Sequence, residues 1–514
     1  MSFFKRNKKE FSVIFFFTCI KLVLHFFANN NFGIHRDEFL YLALGEHLDW
    51  GFKEVPPFVA AVAWFTSNIF GSSVFAIRIF STLAGALIVY LTGLTVLAMG
   101  GKRLQISIAC LAVLVSPAFL ASGYLLQPVV FDQLFWTLTA YLIIRYVKTG
   151  QNIFIYSIGM SVGFGMLNKY TMAFYTLALI FALALTPQRK ILFNKSFLLA
   201  AVIALGIFLP NLIWQFTNGL PIFNHMKELQ ETQLNFINPL DFVIQQLFLH
   251  ASASLIWLSG IIFLFFSRSL KPYRFLAFAY LLVILILIIM HGKSYYSFGA
   301  YPVLFAAGGI AFGKLLAYIK TGYRFAALTF ILLPCLFFIP IAIPILPFNT
   351  TLSFFKYSAD KLNINFFLKW EDQKFHAITQ DYADMLGWEE LAIGVAKVYQ
   401  LLPVPERIET TIFASNYSQA GAIDHFRHKY NLPPSVSLSS SFALWSPDSI
   451  KTKYFIYIDD EYPDDLIPMF KNFKKIGEVK NFYAREKGTS VYLLSHPIKN
   501  LQPVYQKHRE ERFD

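Results

Sequence analysis

Long apolar runs separated by short polar segments fill the first two thirds of the chain. A helix needs about 20 apolar residues to cross a bilayer, and most of the runs approach that length. The first run, 11–28, follows a basic amino terminus and lacks a small-residue cleavage site, so we interpret it as an uncleaved span. Ten further spans are predicted, which makes eleven in total: 75–99, 104–121, 129–147, 152–167, 170–186, 196–216, 241–266, 274–291, 298–319 and 325–346.

One shorter apolar segment, 55–70, does not fit this series. It opens with two prolines and contains Thr66, Ser67 and Asn68, so we predict a helix that lies flat on the outer surface. With this segment outside, most Lys and Arg residues of the loops collect on one side, as cytoplasmic loops do. The pattern therefore predicts a cytoplasmic amino terminus and a first outer loop at 29–74.

The hydropathy changes abruptly near residue 348. The chain beyond residue 349 holds 21 of the 31 acidic residues, balanced by 20 Lys and Arg. Alternating apolar runs predict strands at 411–415, 454–458 and 490–494, and helices are predicted at 384–400 and 418–430. We therefore expect a transmembrane domain at 1–348, followed by a soluble, extracytoplasmic α/β or α+β domain at 349–514.

Composition agrees with a multi-pass protein of the cell (inner) membrane. The chain is 56% hydrophobic, with a mean hydropathy of +0.50. Its net charge of +13 does not indicate a nucleic-acid partner, because the basic residues of the apolar part lie in small groups between spans. Cys19, Cys110 and Cys335 lie in separate apolar runs and favour neither a disulfide framework nor a metal site. Membrane lipids are the partners that this pattern indicates.

The acidic residues of the apolar part point to a candidate site. Residues 1–349 contain only ten Asp and Glu, and five of them lie within 34–58: Asp37, Glu38, Glu46, Asp49 and Glu54. Charges beside a span usually lie in water and often at a working site. Asp37 and Glu38 could simply favour the start of a helix, but that leaves the other three acids unexplained.

Further polar residues fall on the same predicted side of the membrane. Each has an ordinary alternative: Asp132 can form a structural ion pair with Arg78 or Lys169, Lys53 and Glu54 can be a solvated loop pair, and lysines and tyrosines are common at membrane surfaces. The residues that we single out are Lys53, Arg78, Asp132, Lys169, and Lys293 with Tyr295 and Tyr296.

A weaker metal-binding pattern lies in the outer loop 217–240. His225 and Glu228 are spaced to share one face of a helix, and with Glu54 they could bind a divalent ion such as zinc or manganese. A polar surface loop is the alternative. The sequence therefore predicts no specific cofactor, and a divalent metal ion is the alternative.

Carboxylates and cations gathered at one membrane surface suit a particular reaction. A carboxylate base can activate an acceptor hydroxyl, while cations neutralise a phosphate that leaves from a lipid-borne donor. The main alternative is a transporter or flippase of a lipid-linked sugar, which would be expected to bury its charges near the middle of the membrane in repeated halves. A structural subunit without activity is a third possibility. No internal repeat is visible.

Several segments, taken in order and spacing, resemble the bacterial branch of the GT-C membrane glycosyltransferases, the group related to protein O-mannosyltransferases and to the lipid A aminoarabinose transferase (glycosyltransferase family 39-like). They are HRDEFLYLALGEHLDWGFKEVPPF, GYLLQPVVFDQLFW, LNKYTMAFYTLAL, LPNLIWQFTNGLPIFNHMKELQ, HGKSYYSFGAYPVLFAAG, ADMLGWEELAIGVAKVY and IFASNYSQAGAIDHF.

The resemblance implies an inverting hexosyl- or pentosyltransferase that moves a sugar from a polyprenyl phosphate to a lipid, glycan or protein. It implies that Asp37 is the base, that Glu38 positions Asp37 or the acceptor, and that Asp132 supports the first loop. The donor phosphate would bind Lys53, with Lys169, Lys293, Tyr295, Tyr296 and Arg78 beside it. The metal of some relatives would map near Glu54 and His225, although the order here is Lys-Glu where those relatives have Glu-Lys.

Overall fold

The apolar runs form a bundle of helices. The structure, a computed structural model, describes residues 7–451 and 453–511. The helices of the apolar part are α1 Lys8–Ala28, α2 Arg36–Glu46, α3 Phe58–Phe70, α4 Val74–Ile77, α5 Ile79–Ala98, α6 Arg103–Val115, α7 Pro117–Ala121, α8 Pro128–Thr149, α9 Asn152–Asn168, α10 Thr171–Ala184, α11 Lys195–Thr217, α12 Pro221–Thr232, α13 Pro239–Phe248, α14 Ser254–Phe266, α15 Phe275–Ile289, α16 Tyr301–Leu316, α17 Thr321–Phe337 and α18 Ile339–Ala342.

Within the described residues, five helices are long and apolar enough to cross a membrane, or six if one bent pair counts as a single span. The five are Lys8–Ala28, Val74–Ala98, Lys195–Thr217, Ser294–Leu316 and Gly322–Ala342. Shorter apolar helices include α3, α6, α10 and α15. The predicted number of eleven spans and their orientation stay predictions, as does the flat placement of α3.

Two predicted spans are broken in the structure. The run 104–121 ends its first helix at Val115, because the residue before Pro117 disfavours the helical conformation. The run 241–266 forms α13 and α14, which are bent by 97°. The break holds His250, which lies fully buried with Nδ1 2.8 Å from the Ser116 hydroxyl. Hydropathy does not register a polar contact of this kind, so the sequence predicted continuous helices.

The chain beyond the bundle forms further helices and a mixed sheet. The helices are α19 Phe348–Leu362, α20 Gln380–Ala383, α21 Trp388–Leu401, α22 Val404–Ile408, α23 Tyr417–Tyr430, α24 Phe442–Trp445 and α25 Gln502–Glu510. The strands are β1 Thr410–Ala414, β2 Tyr454–Asp459, β3 Phe470–Glu478 and β4 Ser490–Pro497, in the order β1-β2-β4-β3.

The predicted strands correspond to β1, β2 and β4, whereas β3 was missed. β1 and β2 are parallel and joined through α23 and α24, while β4 is antiparallel to both of its neighbours. β3 forms one edge of the sheet, and its lysines Lys471, Lys474 and Lys475 are exposed. Charged residues on an edge strand prevent pairing with other chains, but they also hide the strand from a search for apolar alternation.

The chain beyond residue 348, called the soluble part below, packs directly on residues 29–74, called the first outer loop below. Phe39 of α2 lies edge-on to Trp388, with ring centroids 5.4 Å apart. Gly421 of α23 also lies against Phe39, so closely that an added Cβ would lie 2.7 Å from the Cβ of Phe39. The backbone of Gly33 approaches that of Met385 in the same way, since a Cβ there would lie 2.4 Å from the carbonyl oxygen. Glycine at both positions lets the two parts meet.

A buried ion pair fixes the start of α2. Glu38 and Arg78 are both fully buried, and the Glu38 carboxylate accepts hydrogen bonds from Arg78 Nε at 3.0 Å and Nη2 at 2.7 Å. It also accepts from the backbone N–H groups of His35 and Leu126, each at 2.9 Å. Arg78 in turn donates to the carbonyls of Asn29 and Gly33. The pair therefore joins both ends of the loop segment before α2 to the start of α5.

We expect Glu38→Ala to destabilise the protein by about 3–5 kcal/mol, because it leaves the Arg78 guanidinium buried without its anion. The measurement is thermal unfolding of the purified protein in detergent. The matched control is Glu46→Ala, since Glu46 forms an exposed pair with Arg427 at 3.7 Å. Its loss should change the free energy of unfolding by less than about 1 kcal/mol.

The double variant Glu38→Leu/Arg78→Met should recover part of the lost stability, because it removes both charges. Equal unfolding temperatures for Glu38→Ala and the wild type would contradict this account of the pair.

Candidate active site

A cavity of about 710 Å³ lies where the loops at one end of the bundle meet the soluble part. Its wall draws on the first outer loop, the loop before α8, the tips of two helical hairpins and the segment 371–384. Its charged and titratable residues are His35, Arg36, Asp37, Tyr41, Glu54, Lys169, His225, Lys293, Tyr295, Tyr296, Glu371, Asp381, Asp384, Tyr417 and Arg485.

Asp37 stands in the first turn of α2, at the wall of this cavity. The helix begins with a capping box, in which His35 Nδ1 accepts from the N–H of Asp37 and Glu38 accepts from the N–H of His35. The Asp37 carboxylate accepts a hydrogen bond from the Tyr417 hydroxyl at 2.9 Å, and Gln127 Nε2 lies 3.4 Å from its other oxygen. The carboxylate is thus oriented from two sides while it remains open to the cavity.

Cations surround the same space. Lys169 Nζ lies over the rings of Tyr295 and Tyr296, 4.8 and 4.5 Å from their centroids. Burial lowers the pKa of Lys169 to about 8, and the charge of Lys293 adds to this effect while that of Asp132 opposes it. Burial also lowers the pKa of Lys293, whose ammonium group donates to Gln233. Both lysines are held where an incoming anion would restore their full charge.

Arg36 is a cation that the sequence analysis did not single out. Its guanidinium lies 5.5 Å from the centre of the Tyr417 ring, and its Nε is buried without a hydrogen-bond partner in the described structure. Its backbone N–H donates to the carbonyl of Asp384 at 3.0 Å. The sequence could have indicated this role, because Arg36 directly precedes the predicted base Asp37 in the motif HRDE.

The soluble part supplies one side of the cavity, which sequence reasoning also missed. His35 Nε2 lies 3.8 Å from the buried carboxylate of Asp384, which pairs with Arg485 at 3.3 Å. Burial raises the pKa of Asp384 to about 6, although His35, Arg485 and Arg36 act in the opposite direction. Tyr417 starts α23 and reaches Asp37 across 380 positions of sequence. Only the packing of the two parts brings these groups together.

Four predicted site residues lie away from the cavity wall. Glu38 and Arg78 form a buried ion pair with each other, and neither side chain lines the cavity. Asp132 is buried within α8 and accepts a hydrogen bond from the Thr171 hydroxyl at 2.8 Å. Its neighbour Phe131 packs against Phe58 of the first outer loop, and the support of that loop by Asp132 stays a prediction. Lys53 pairs with Glu228 at 3.5 Å and lines a different cavity.

The candidate metal ligands Glu54 and His225 both line the cavity. One oxygen of Glu54 accepts from the Ser441 hydroxyl, and the other is buried without a partner in the described structure. Burial lowers the pKa of His225, and the charges of Glu54 and Glu228 oppose this shift. Within the described residues, no group of three or more His, Cys, Asp or Glu is arranged to hold a metal ion. Glu54 and His225 thus offer two ligands, and substrate or water would have to complete the set.

Comparison with known proteins agrees with this architecture. Residues 54–214 match the family described as dolichyl-phosphate-mannose-protein mannosyltransferase. No curated protein matches the chain. Among solved structures, ArnT from Cupriavidus metallidurans bound to undecaprenyl phosphate superposes with a TM-score of 0.60 and 12% identity, over 93% of this chain and 97% of that one.

The apo form of the same ArnT gives a TM-score of 0.58 over the same shares of the two chains, again with 12% identity. At this level of identity the likeness establishes the fold. With the family match in residues 54–214, it identifies the chain as a membrane protein of the GT-C fold that resembles ArnT and the protein O-mannosyltransferases.

Proposed function

We propose that this protein is an inverting glycosyltransferase, which moves a sugar from a polyprenyl phosphate to an acceptor hydroxyl or amine at the outer face of the membrane. The observation that carries the proposal is the cavity in which the Asp37 carboxylate and the cations Arg36, Lys169 and Lys293 meet. A base and phosphate-binding cations are the two groups that this reaction requires. The complex of ArnT with undecaprenyl phosphate, in the same fold, supports this class of donor.

In the proposed reaction, Asp37 accepts the proton of the acceptor hydroxyl. The acceptor oxygen forms a bond to the anomeric carbon while the bond from that carbon to the phosphate oxygen breaks, and the phosphate leaves with the bonding electrons. A single displacement of this kind inverts the anomeric centre. Arg36, Lys169 and Lys293 neutralise the departing phosphate, and Tyr295 and Tyr296 hold the Lys169 ammonium beside it.

The other residues of the site are assigned positioning roles in this reaction. Tyr417 and Gln127 position Asp37 through their hydrogen bonds to its carboxylate. Glu38 and Arg78 act through the conformation of the loop and not by contact with the donor. A divalent ion at Glu54 and His225 would stabilise negative charge on the phosphate, but the base and the cations suffice for the steps above. The gathering of charges at one end of the bundle, rather than at its middle, favours an enzyme over a transporter.

We expect Asp37→Asn to lower transfer at least about 100-fold, because a general base contributes roughly 10²–10⁴ to a rate. The product is identified first, by mass spectrometry of envelope lipids, glycans and proteins from cells with and without the gene. Initial rates are then measured with the purified protein. Binding of undecaprenyl phosphate should be unchanged in the variant, and wild-type rates would refute the assignment.

We expect Tyr417→Phe to lower the transfer rate about tenfold, because a hydrogen bond to a charged group contributes roughly 1.5–3 kcal/mol. The matched control is Tyr430→Phe, since the Tyr430 hydroxyl donates to the surface carboxylate of Glu389 at 2.7 Å. Both variants should keep the wild-type unfolding temperature within a few degrees. Equal rates for the two variants would show that Tyr417 does not position the base.

We expect the affinity for undecaprenyl phosphate to fall as the pH rises through about 8, because Lys169 then loses its proton. The second ionisation of a phosphate monoester is near pH 6, so the charge of the lipid is constant across this range. Lys169→Arg should reduce the loss of affinity between pH 7 and 9, since Arg stays charged. The exposed Lys227→Arg is the control and should behave as the wild type. An unchanged pH dependence in Lys169→Arg would contradict the prediction.

A further inference from the structure

A second cavity, of about 960 Å³, lies in the soluble part. It opens at the carboxyl ends of the parallel strands β1 and β2, where Ser415 and Asp459 line it. Ligands of open α/β sheets bind beyond the carboxyl ends of the strands, and ligand cavities commonly measure about 300–1,000 Å³. Both the place and the size of this cavity therefore suit a bound molecule.

The floor of this cavity is aromatic. Phe413 of β1 is paired in register with Tyr457 of β2, and the two rings lie nearly parallel with centroids 6.0 Å apart. Phe455 adjoins them on the same face of the sheet, and Tyr462 at the cavity mouth is 60% exposed. Aromatic faces carry negative charge and attract positively polarised C–H groups or cations. A sugar ring presents C–H groups of this kind along one face.

The rim of the cavity carries more acidic than basic residues. Its carboxylates come from Asp459, Glu461, Asp464, Asp465 and Glu511, and its basic residues are Lys53 and His508. Glu511 pairs with His508 at 3.5 Å. Among the ion pairs of the described residues, none involves Glu461, Asp464 or Asp465. Carboxylates accept hydrogen bonds from hydroxyl and ammonium groups and repel phosphates and other carboxylates.

The first outer loop separates this cavity from the candidate active site. Lys53 lines the second cavity, and its neighbour Glu54 lines the first. Ser441 binds both residues, since its hydroxyl accepts from the N–H of Lys53 at 3.0 Å and donates to the Glu54 carboxylate. The two cavities thus lie on opposite sides of one short segment of backbone.

We propose that the second cavity binds the distal sugar units of an extended acceptor, whose reacting end passes residues 53 and 54 to reach Asp37, and that this acceptor is a neutral or cationic glycan. The inference rests on the proposed function and adds the chemical class of the second substrate. An aromatic floor with carboxylates around it fits stacked sugar rings whose hydroxyl or amino groups point to the rim. The same rim opposes an anionic lipid headgroup. A basic peptide fits the charge, but the edge of β1 that could pair with a peptide is already bridged to Val436.

Binding of short glycans to the full-length protein tests the proposal. The protein is kept in a detergent without a sugar headgroup, and saturation-transfer NMR measures binding of chitosan pentamer, cellopentaose and pentagalacturonic acid. We expect at least one of the first two to bind and the acidic glycan not to bind. Tyr462→Ala should weaken binding about fivefold, as expected for loss of one aromatic contact. Asp464→Asn/Asp465→Asn should weaken binding of the cationic glycan.

The matched control is Tyr357→Ala, since Tyr357 is 56% exposed on α19 and does not line the cavity. The control should bind glycans as the wild type does. Pentalysine is measured in the same way, as a basic peptide. Failure of both the cationic and the neutral glycan to bind would overturn the proposal, as would equal binding of the acidic glycan, tighter binding of pentalysine than of the glycans, or unchanged binding in Tyr462→Ala.

Binding of undecaprenyl phosphate, measured on the same samples, separates this inference from the proposed function. The variants of the second cavity should keep wild-type affinity for the lipid. Lipid binding without glycan binding would leave the donor site standing and remove the acceptor site. Glycan binding without lipid binding would count against the transferase itself.

Discussion

The geometry of the first outer loop depends on a single buried ion pair. Glu38 and Arg78 meet where water is excluded, and the four hydrogen bonds that the carboxylate accepts leave it no capacity for another ligand. An unpaired charge at this depth would be costly, so each residue requires the other. Because the neighbouring residue is Asp37, the pair also sets the direction in which the proposed base points. The acids at 37 and 38 are adjacent in sequence yet serve opposite purposes, one locked in the protein and the other open to the cavity.

The sequence singled out several residues that line the candidate cavity together, but not those that the carboxy-terminal part contributes. The density of acids between 34 and 58 pointed to Asp37, and the positions of Lys169, Lys293 and the two tyrosines between spans anticipated their meeting, because loops on the same side of a bundle lie close together. The family resemblance implied that Glu38 positions Asp37 or the acceptor and that Arg78 lies beside the donor phosphate. Their burial depends on how α2 and α5 pack, which periodicity does not specify.

What escaped prediction has a common physical cause. Tyr417, Asp384 and Arg485 enter the site only because Gly421 and Gly33 allow the soluble part to approach the loop at backbone distance. The edge strand β3 was missed because its exposed lysines resemble loop composition. The bend at His250 was missed because an apolar run does not show that a buried histidine contacts Ser116 of another helix. Local pattern predicts elements that bury an apolar face, whereas contacts between distant polar groups follow from the assembled fold.

The hydrogen bond from Tyr417 to Asp37 joins the first outer loop to a helix near the carboxyl end of the chain. During synthesis Asp37 is made long before Tyr417. Its carboxylate therefore lacks this hydrogen bond until the bundle and the sheet have been synthesised. Both cavities, and the second of the two hydrogen bonds that orient Asp37, form only when the carboxy-terminal part has folded against the first outer loop. A chain without its carboxy-terminal part would therefore hold Lys169 and Lys293 without the hydrogen bond from Tyr417 to Asp37, and it would lack the second cavity. The candidate site is therefore completed only in the last stage of folding.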